Sequence, residues 1–134
     1  MKLFKGKAHI DDRGVLVAFN DFDMTDVVRM YKIQPNVDSI RAWQGNEFER
    51  KWFFVVKGQF RIQLRTLESL NPVGDFELKQ SDHKVLAIEG GLFNGFQSLE
   101  EGSELIVFSD FSLEQSMEDN LRKSLEQVPW ESSK

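Results

Sequence analysis

Several residue types are absent or scarce in this chain, and each absence excludes a class of site. The 134 residues include no cysteine, which excludes disulfides, thiolate-bound zinc, iron–sulfur clusters and thiol nucleophiles. Two histidines, His9 and His83, leave little for a histidine-rich metal centre. No apolar run approaches the roughly 20 residues of a membrane span, and residues 1–14 lack the apolar core of a signal peptide. We therefore expect a cytoplasmic protein with no membrane partner.

The composition is that of one globular domain spanning residues 1–134. Hydrophobic residues make up 40% and charged residues 29%, and twelve Phe and three Trp against a single Tyr indicate an aromatic interior. The net charge of −5 argues against nucleic acid as a partner, because binding a phosphate backbone requires a basic surface. A locally basic pocket for a small phosphate ligand is compatible with that charge.

Short strands separated by turn signals dominate the pattern over about residues 8–111. Turn dipeptides such as Gly45-Asn46 and Asn71-Pro72 recur at short intervals. Between them lie the predicted strands Val15–Phe19, Val27–Ile33, Lys51–Val56, Asp75–Leu78, Val85–Ile88 and Glu104–Phe108. Many short strands at this spacing predict an all-β sandwich, jelly roll or barrel with antiparallel pairing.

One further strand, after Gly58, shows strict alternation with a period of two. Its apolar residues Phe60, Ile62 and Leu64 predict a face turned to the core. The intervening Gln59, Arg61 and Gln63 predict a solvated sheet face, with the lining of a lumen as the alternative.

The C-terminal segment has a different period. Apolar residues recur at steps of four over residues 112–128, which predicts one amphipathic helix packed on the β core and ended by Pro129. They are Leu113, Met117, Leu121 and Leu125. Ser112 and Gln115 have the spacing of a capping box at the start of that helix.

Four segments carry motifs whose order and spacing are more specific than the strand pattern. They are Asp12–Val17, Ile40–Asn46, Lys51–Gly58 and Ile88–Phe96. Together they resemble the cupins that modify nucleotide-linked sugars, the dTDP-4-dehydrorhamnose 3,5-epimerases and the dTDP-sugar 3,4-ketoisomerases. The resemblance runs from about Asp11 to Asp110. It implies a double-stranded β-helix, or jelly roll, with a short C-terminal α-helix.

The resemblance can be followed position by position. The family has Arg-Gly-x-His, often extended to His-x-His, then a Lys or Gln before an apolar strand, and later Gly-x-x-His-Gly-Phe. Arg41 matches the arginine, Lys51 matches the lysine, and the histidine positions hold Gln44, Asn46 and Asn94. The tyrosine acid that follows the last core strand of the epimerases is replaced by Phe111.

These matches supply the candidate site residues. The resemblance implies that Lys51 is the catalytic group and that five residues bind substrate, namely Arg13, Arg41, Gln44, Asn46 and Asn94. Each has a structural alternative: Arg13 as a turn arginine beside Asp11 and Asp12, Lys51 as a solvated edge lysine, and the three amides as ordinary turn residues. For Arg41 the alternative is a surface arginine, and an inward role in a polar lumen is favoured because its strand alternates with apolar residues. Because amides and a protonated lysine are poor ligands for transition metals, we expect no metal, and we expect no other cofactor.

Two functions remain open. The first is a metal-free epimerase or ketoisomerase of a nucleotide-linked 4-keto-6-deoxy sugar, serving deoxysugar or surface-polysaccharide synthesis. The second is a non-catalytic cupin that binds a sugar nucleotide or acts as a scaffold, because the amides cannot take a proton and Phe111 cannot give one. The other titratable groups near the motifs are Asp82, His83, Glu47 and Glu49. The family also implies a homodimer, in which the N-terminal strand can cross to the partner.

Overall fold

Strands account for most of the regular structure in residues 1–132, the part of the chain that this computed structural model describes. They are β1 (Lys2–Lys5), β2 (Lys7–Asp11), β3 (Gly14–Ala18), β4 (Arg29–Ile33), β5 (Ile40–Asn46), β6 (Lys51–Lys57), β7 (Gln59–Thr66), β8 (Pro72–Lys79), β9 (Lys84–Ile88), β10 (Leu92–Ser98), β11 (Glu104–Ser109) and β12 (Leu121–Arg122). A single α-helix of the described residues, α1 (Leu113–Glu118), lies between β11 and β12. The all-β prediction is confirmed. Within residues 1–132, no helix is long and apolar enough to cross a bilayer.

Two antiparallel five-stranded sheets form the body of the jelly roll. One sheet has the strand order β1-β9-β6-β11-β4 and the other has the order β12-β5-β10-β7-β8. Strands β2 and β3 form a separate hairpin. This topology puts β4 at the edge of the first sheet and β5, β10 and β12 side by side in the second.

The alternation in β7 makes the apolar face that the sequence predicts. Phe60, Ile62 and Leu64 are fully buried in the main hydrophobic core, together with residues of β6 and β11 such as Phe53 and Leu105. Each such side chain contributes about 1.5–3 kcal/mol by leaving water, so these strands fix the spacing of the two sheets.

The opposite face of β7 is covered, and the prediction of a solvated face is wrong for Arg61 and Gln63, which are 6% and 3% exposed. The C-terminal tail lies over them: the Glu131 carbonyl accepts hydrogen bonds from Arg61 Nη1 at 2.8 Å and Gln63 Nε2 at 3.0 Å. Arg61 also pairs with Asp75 at 2.7 Å. The paired charge and the tail carbonyl satisfy the polar groups that burial would otherwise leave without partners.

The tail itself is held by two tryptophans. Trp130 lies 5.4 Å from Trp43, measured between ring centroids, and the Trp43 indole N–H donates to the Val128 carbonyl at 2.7 Å. Trp43, Phe93 and Val128 form a second, smaller hydrophobic cluster. The tail is therefore part of the packed structure of the second sheet.

Helix α1 begins at the capping box that the sequence predicts but ends at Glu118, so the predicted helix over 112–128 is wrong beyond its first turns. The Asp119 carboxylate accepts from the backbone N–H groups of Glu47, Phe48 and Glu49 at 2.8, 3.0 and 2.8 Å, which turns the chain out of the helix. Leu121–Arg122 then pairs with β5 as a strand. The apolar stripe does not pack on the core, since Leu113 and Met117 are 62% and 70% exposed.

Candidate functional site

A cavity of about 420 Å³, the main cavity, opens where edge strand β4 of one sheet meets β5, β10 and β12 of the other. The wall includes polar, charged and aromatic side chains, among them Tyr31, Arg41, Gln44, Asn94, Phe96 and Arg122. The topology brings these residues together from four separate stretches of the chain. Of the predicted site residues, Arg41, Gln44 and Asn94 therefore share one cavity.

Positive charge dominates the wall of the main cavity. Its lining includes Arg41, Arg122 and Lys32 and contains no Asp or Glu, although the chain as a whole has a net charge of −5. The Lys32 ammonium lies 4.0 Å from Glu104, so its charge is shared, whereas within residues 1–132 Arg41 and Arg122 have no salt-bridge partner. Such a wall favours an anionic ligand, because a guanidinium can grip a phosphate with two hydrogen bonds.

Lys51 and Asn94 form a buried pair at the back of the main cavity. Lys51 begins β6 and is 1% exposed, and its Nζ donates to Asn94 Oδ1 at 2.8 Å. Because an ammonium can only donate, this contact fixes the orientation of the Asn94 amide. The Nδ2 group of Asn94 is then left to donate elsewhere, and Asn94 lines the cavity. Lys51 is thus an interior residue, not the solvated edge lysine of the structural alternative.

Burial changes the protonation of Lys51. Desolvation lowers the pKa of Lys51 from 10.5 to about 8, while the nearby Glu49 carboxylate opposes part of that shift. At neutral pH the side chain is still mostly an ammonium, which suits it to holding a neighbouring dipole or anion.

The lowered pKa of Lys51 predicts how the free energy of unfolding changes with pH. Between about pH 8 and 10.5 the unfolded chain binds more protons than the folded chain, so the free energy of unfolding rises with pH in that window. Denaturant titrations at about pH 8 and 9.5 should show the wild type gaining about 1.5 kcal/mol relative to Lys51→Met. Equal changes in the two proteins would show that Lys51 has an ordinary pKa.

Asn46 lies behind the wall of the main cavity and not in it. It is 2% exposed, and its Nδ2 donates to the Asp119 carbonyl at 2.9 Å and to Glu49 Oε1 at 3.3 Å. Its Oδ1 has no hydrogen-bond partner among the described residues. Gln44 does line the cavity, with its Nε2 3.5 Å from Asn120 Oδ1. Gln44 and Asn46, which both match histidine positions of the family, therefore have different surroundings.

Two other positions from the sequence analysis lie away from the main cavity. Arg13 is at the tip of the β2–β3 hairpin, 85% exposed, and its Nη2 pairs with Asp11 at 2.7 Å, which lowers the pKa of that carboxyl. Phe111 is not among the lining residues, and its carbonyl accepts from Arg29 Nε at 3.2 Å. Within one chain, neither side chain contributes to the wall.

The sequence analysis missed Tyr31, the single tyrosine of the chain, which lines the main cavity. Burial, with a further contribution from Glu49, raises the pKa of Tyr31 to about 12, so the phenol keeps its proton at neutral pH. Arg29, Tyr31 and Ile33 alternate with exposed residues along β4, and that pattern was available in the sequence as a signal. Arg122 was hidden by its assignment to a helix.

A smaller cavity of about 240 Å³, the side cavity, adjoins the main cavity and shares Tyr31, Gln44 and Arg122 with it. The exposed face of α1, with Leu113 and Met117, forms its apolar side. The two cavities together make one cleft, and the side cavity adds a further cation, Arg29, to its wall.

The donor set at this site does not suit a transition metal. Lys51 is mainly an ammonium, and Gln44 and Asn94 offer amides. In residues 1–132 no group of three or more His, Asp or Glu side chains is placed to hold an ion. We therefore derive no step through a metal.

Solved structures of sugar-nucleotide enzymes resemble this chain over nearly its whole length. The dTDP-4-dehydrorhamnose 3,5-epimerase of Sulfolobus tokodaii is 23% identical and superposes with a TM-score of 0.77, covering 96% of this chain and 79% of that one. No family model matches the sequence, and a search of curated proteins gave no match either.

Two engineered variants also resemble the chain. The 3,4-ketoisomerase QdtA of Thermoanaerobacterium thermosaccharolyticum, with asparagine in place of a histidine, was solved with TDP-4-keto-6-deoxyglucose (20% identity, TM-score 0.74, 91% and 86% of the two chains). The 3'-monoepimerase ChmJ of Streptomyces bikiniensis, with asparagine for a histidine and phenylalanine for a tyrosine, was solved with dTDP (13% identity, TM-score 0.79, 96% and 73%). The chain thus has the cupin jelly-roll fold of the dTDP-sugar epimerases and ketoisomerases, as the sequence resemblance implies.

Proposed function

We propose that this protein binds a nucleotide-linked 4-keto-6-deoxy sugar in the main cavity and acts on it as an epimerase or ketoisomerase without a metal. The observation that carries the proposal is the wall of the cavity, where Arg41 and Arg122 meet the Lys51–Asn94 pair and Tyr31. An anion-binding part and a part able to handle a carbonyl group are thus adjacent, which suits a pyrophosphate joined to a keto sugar.

Arg41 and Arg122 are the groups that would hold the pyrophosphate. Both line the main cavity, and they lie on neighbouring strands, with Arg122 opposite Gln44 in the register of β12 and β5. Two guanidinium groups on one wall can meet the two phosphates with charge-assisted hydrogen bonds.

The keto sugar would lie towards Asn94 and Tyr31. Removing a proton beside a ketone places negative charge on the carbonyl oxygen, and Asn94 Nδ2 is free to donate to that oxygen. The Lys51 ammonium strengthens this donor by binding the other end of the amide. Gln44 and Asn94 cannot accept the proton removed from carbon, so that proton would pass to water in the open cavity. Tyr31 carries a proton at neutral pH, can donate it to carbon and would then recover one from water.

The second candidate is a binding protein without turnover, and the amides favour it. Gln44 and Asn94 line the cavity but cannot accept a proton, and Asn46 is buried behind it. Variants of QdtA and ChmJ with asparagine for histidine were solved with bound nucleotide, which supports retention of binding when such a histidine is missing.

Exchange of carbon-bound hydrogen separates the two candidates. The protein would be incubated with dTDP-4-keto-6-deoxyglucose in deuterated water, and loss of the C3 and C5 proton signals followed by NMR. The enzyme proposal expects protein-dependent exchange at one or both carbons at a rate below that of epimerases with an intact histidine and tyrosine. Binding of the sugar nucleotide without exchange would establish the second candidate.

We expect Arg41→Ala to weaken dTDP binding. Loss of one charged hydrogen-bonding group costs about 1.5–3 kcal/mol, which is roughly 10- to 150-fold in Kd. Calorimetry measures this directly, with Lys57→Ala, the loss of an exposed cation outside the main cavity, as the matched control. Failure of the wild type to bind dTDP or UDP-glucose at millimolar concentration would remove both sugar-nucleotide candidates.

We propose a homodimer, and the β2–β3 hairpin supplies the reason. Ile10 and Val15, opposite each other on one face of the hairpin, are 74% and 59% exposed, and Leu16 on the other face is 62% exposed. Both faces of the hairpin thus carry apolar side chains that a second copy would cover. Light scattering should give about twice the chain mass of 15.6 kDa, and Leu16→Lys should shift the protein to monomer. A wild type that is monomeric at micromolar concentration would contradict this. Arg13 at the hairpin tip would bind substrate only by reaching the partner's cavity.

A further inference from the structure

A buried carboxylate joins the elements around the two cavities. Glu49 is 1% exposed, and its two oxygens accept four hydrogen bonds from side chains. The donors are Arg29 Nη2 at 3.2 Å, Ser109 Oγ at 2.6 Å, Ser116 Oγ at 2.6 Å and Asn46 Nδ2 at 3.3 Å. They come from β4, β11, α1 and β5, so one side chain ties four elements together.

The four hydrogen bonds that Glu49 accepts limit its possible role at the site. A buried carboxylate whose two oxygens already accept four hydrogen bonds has no lone pair aimed at a substrate. Glu49 also does not line either cavity, whereas its partners Arg29 and Ser116 line the side cavity. It can therefore act on a ligand only through its neighbours.

We propose that Glu49 is a positioning residue that fixes Arg29 and helix α1 against the cleft and supplies the buried counter-charge for Lys51. Its consequence for turnover rests on the proposed function, but its effect on Lys51 does not. Loss of the Glu49 charge would leave Lys51 more readily deprotonated, which weakens the grip of Lys51 on Asn94 and therefore the donor offered to the carbonyl oxygen.

Few charged side chains act on the two titratable groups of the site, Lys51 and Tyr31. Glu49 and Asp119 favour the charged form of Lys51, while Arg29 and Arg122 oppose it. Around Tyr31, Glu49 opposes ionisation, and Arg29 and Arg41 favour it. Glu49 and Arg29 are common to both sets, so their substitution should move the Lys51 titration in opposite directions.

The test follows the titration of Lys51 by NMR in protein with carbon-13-labelled lysine, with the Lys51 signal identified by its absence from Lys51→Met. Glu49→Gln keeps the size of the side chain and removes its charge, and should lower the midpoint by about one unit. Glu47→Gln, two residues away and exposed, is the matched control and should leave the midpoint unchanged. An unchanged midpoint in folded Glu49→Gln would overturn the proposal.

A second variant decides the matter if Glu49→Gln does not fold. Arg29→Met removes the cation that shares the Glu49 carboxylate, so Lys51 should titrate at higher pH, and a midpoint that stays or falls would overturn the proposal. In the exchange assay, a Lys51 midpoint lowered by one unit should make Glu49→Gln slower by about twofold at pH 7 and about fivefold at pH 8, with the Kd for dTDP little changed. General loosening of the structure would not produce this pH dependence. Failure of the wild type to bind dTDP sinks the proposed function, while the Lys51 titration still tests Glu49.

Discussion

Lys51→Met should reduce proton exchange on dTDP-4-keto-6-deoxyglucose by about 10²–10³-fold. The Asn94 amide would no longer be held in the orientation that donates to the developing oxyanion, and losing one such preorganised donor costs about that much. The Nζ of Lys51 is the group that fixes the Asn94 amide, at 2.8 Å, and methionine offers no donor in its place. Binding of dTDP should persist, because Arg41 and Arg122 lie elsewhere on the wall. NMR exchange rates check the expected loss of exchange, and Kd values from calorimetry check that dTDP binding persists.

The pH profile identifies the role of Lys51. If Lys51 acts as the cation that holds Asn94, the exchange rate should fall once the pH passes about 8. If Lys51 acts as a base, the exchange rate should rise towards that pH. The contact with Asn94 favours the first profile. Exchange unaffected by Lys51→Met would show that the site is misassigned, and Tyr31 and Glu49 would be the next groups to substitute.

Truncation after Gln127 should lower the free energy of unfolding by about 3–5 kcal/mol. The missing residues include Val128, which is buried, and Trp130, which packs on Trp43. Arg61 and Gln63 would lose the Glu131 carbonyl that satisfies them, and a buried donor without a partner costs roughly 1–3 kcal/mol. Urea denaturation of both chains measures the difference.

A point variant separates packing from hydrogen bonding in this tail. Trp130→Ala removes the contact with Trp43 but keeps the Glu131 carbonyl, so its cost should be smaller than that of the truncation. Glu126→Ala, at an exposed position of the same segment, should leave stability unchanged. If the truncated chain unfolds at the same urea concentration as the full chain, the tail contributes no packing.

The strands could be predicted because alternation is a local signal. Gln59–Thr66 alternates, and Phe60, Ile62 and Leu64 point to the core as the pattern requires. The burial of Arg61 and Gln63 could not be predicted in this way, since the cover comes from residue 131, about seventy positions away. A polar strand face indicates solvent only when no other segment packs on it.

The end of the helix was also set by distant groups. The apolar spacing through Leu125 predicts a long amphipathic helix, but Asp119 binds three backbone N–H groups at residues 47–49 and ends it at Glu118. Tertiary contacts thus outweighed helical periodicity.

The candidate site was predicted in part, and only through the motif resemblance. Arg41, Gln44 and Asn94 share the main cavity, and Lys51 lies directly behind Asn94. Tyr31 and Arg122 were missed because each reaches the cavity from a stretch of chain outside the motifs. Their position depends on the pairing of β4 with β11 and of β12 with β5.

The central claim is that the main cavity binds a sugar nucleotide, and a titration of nitrogen-15-labelled protein with dTDP tests it most directly. We predict saturable shifts concentrated at the cavity residues Arg41, Gln44, Asn94 and Arg122, with Lys57 and Glu101, exposed residues outside the main cavity, as an internal reference. Absence of shifts at millimolar dTDP, or saturable shifts that leave all four residues unmoved, would contradict the claim.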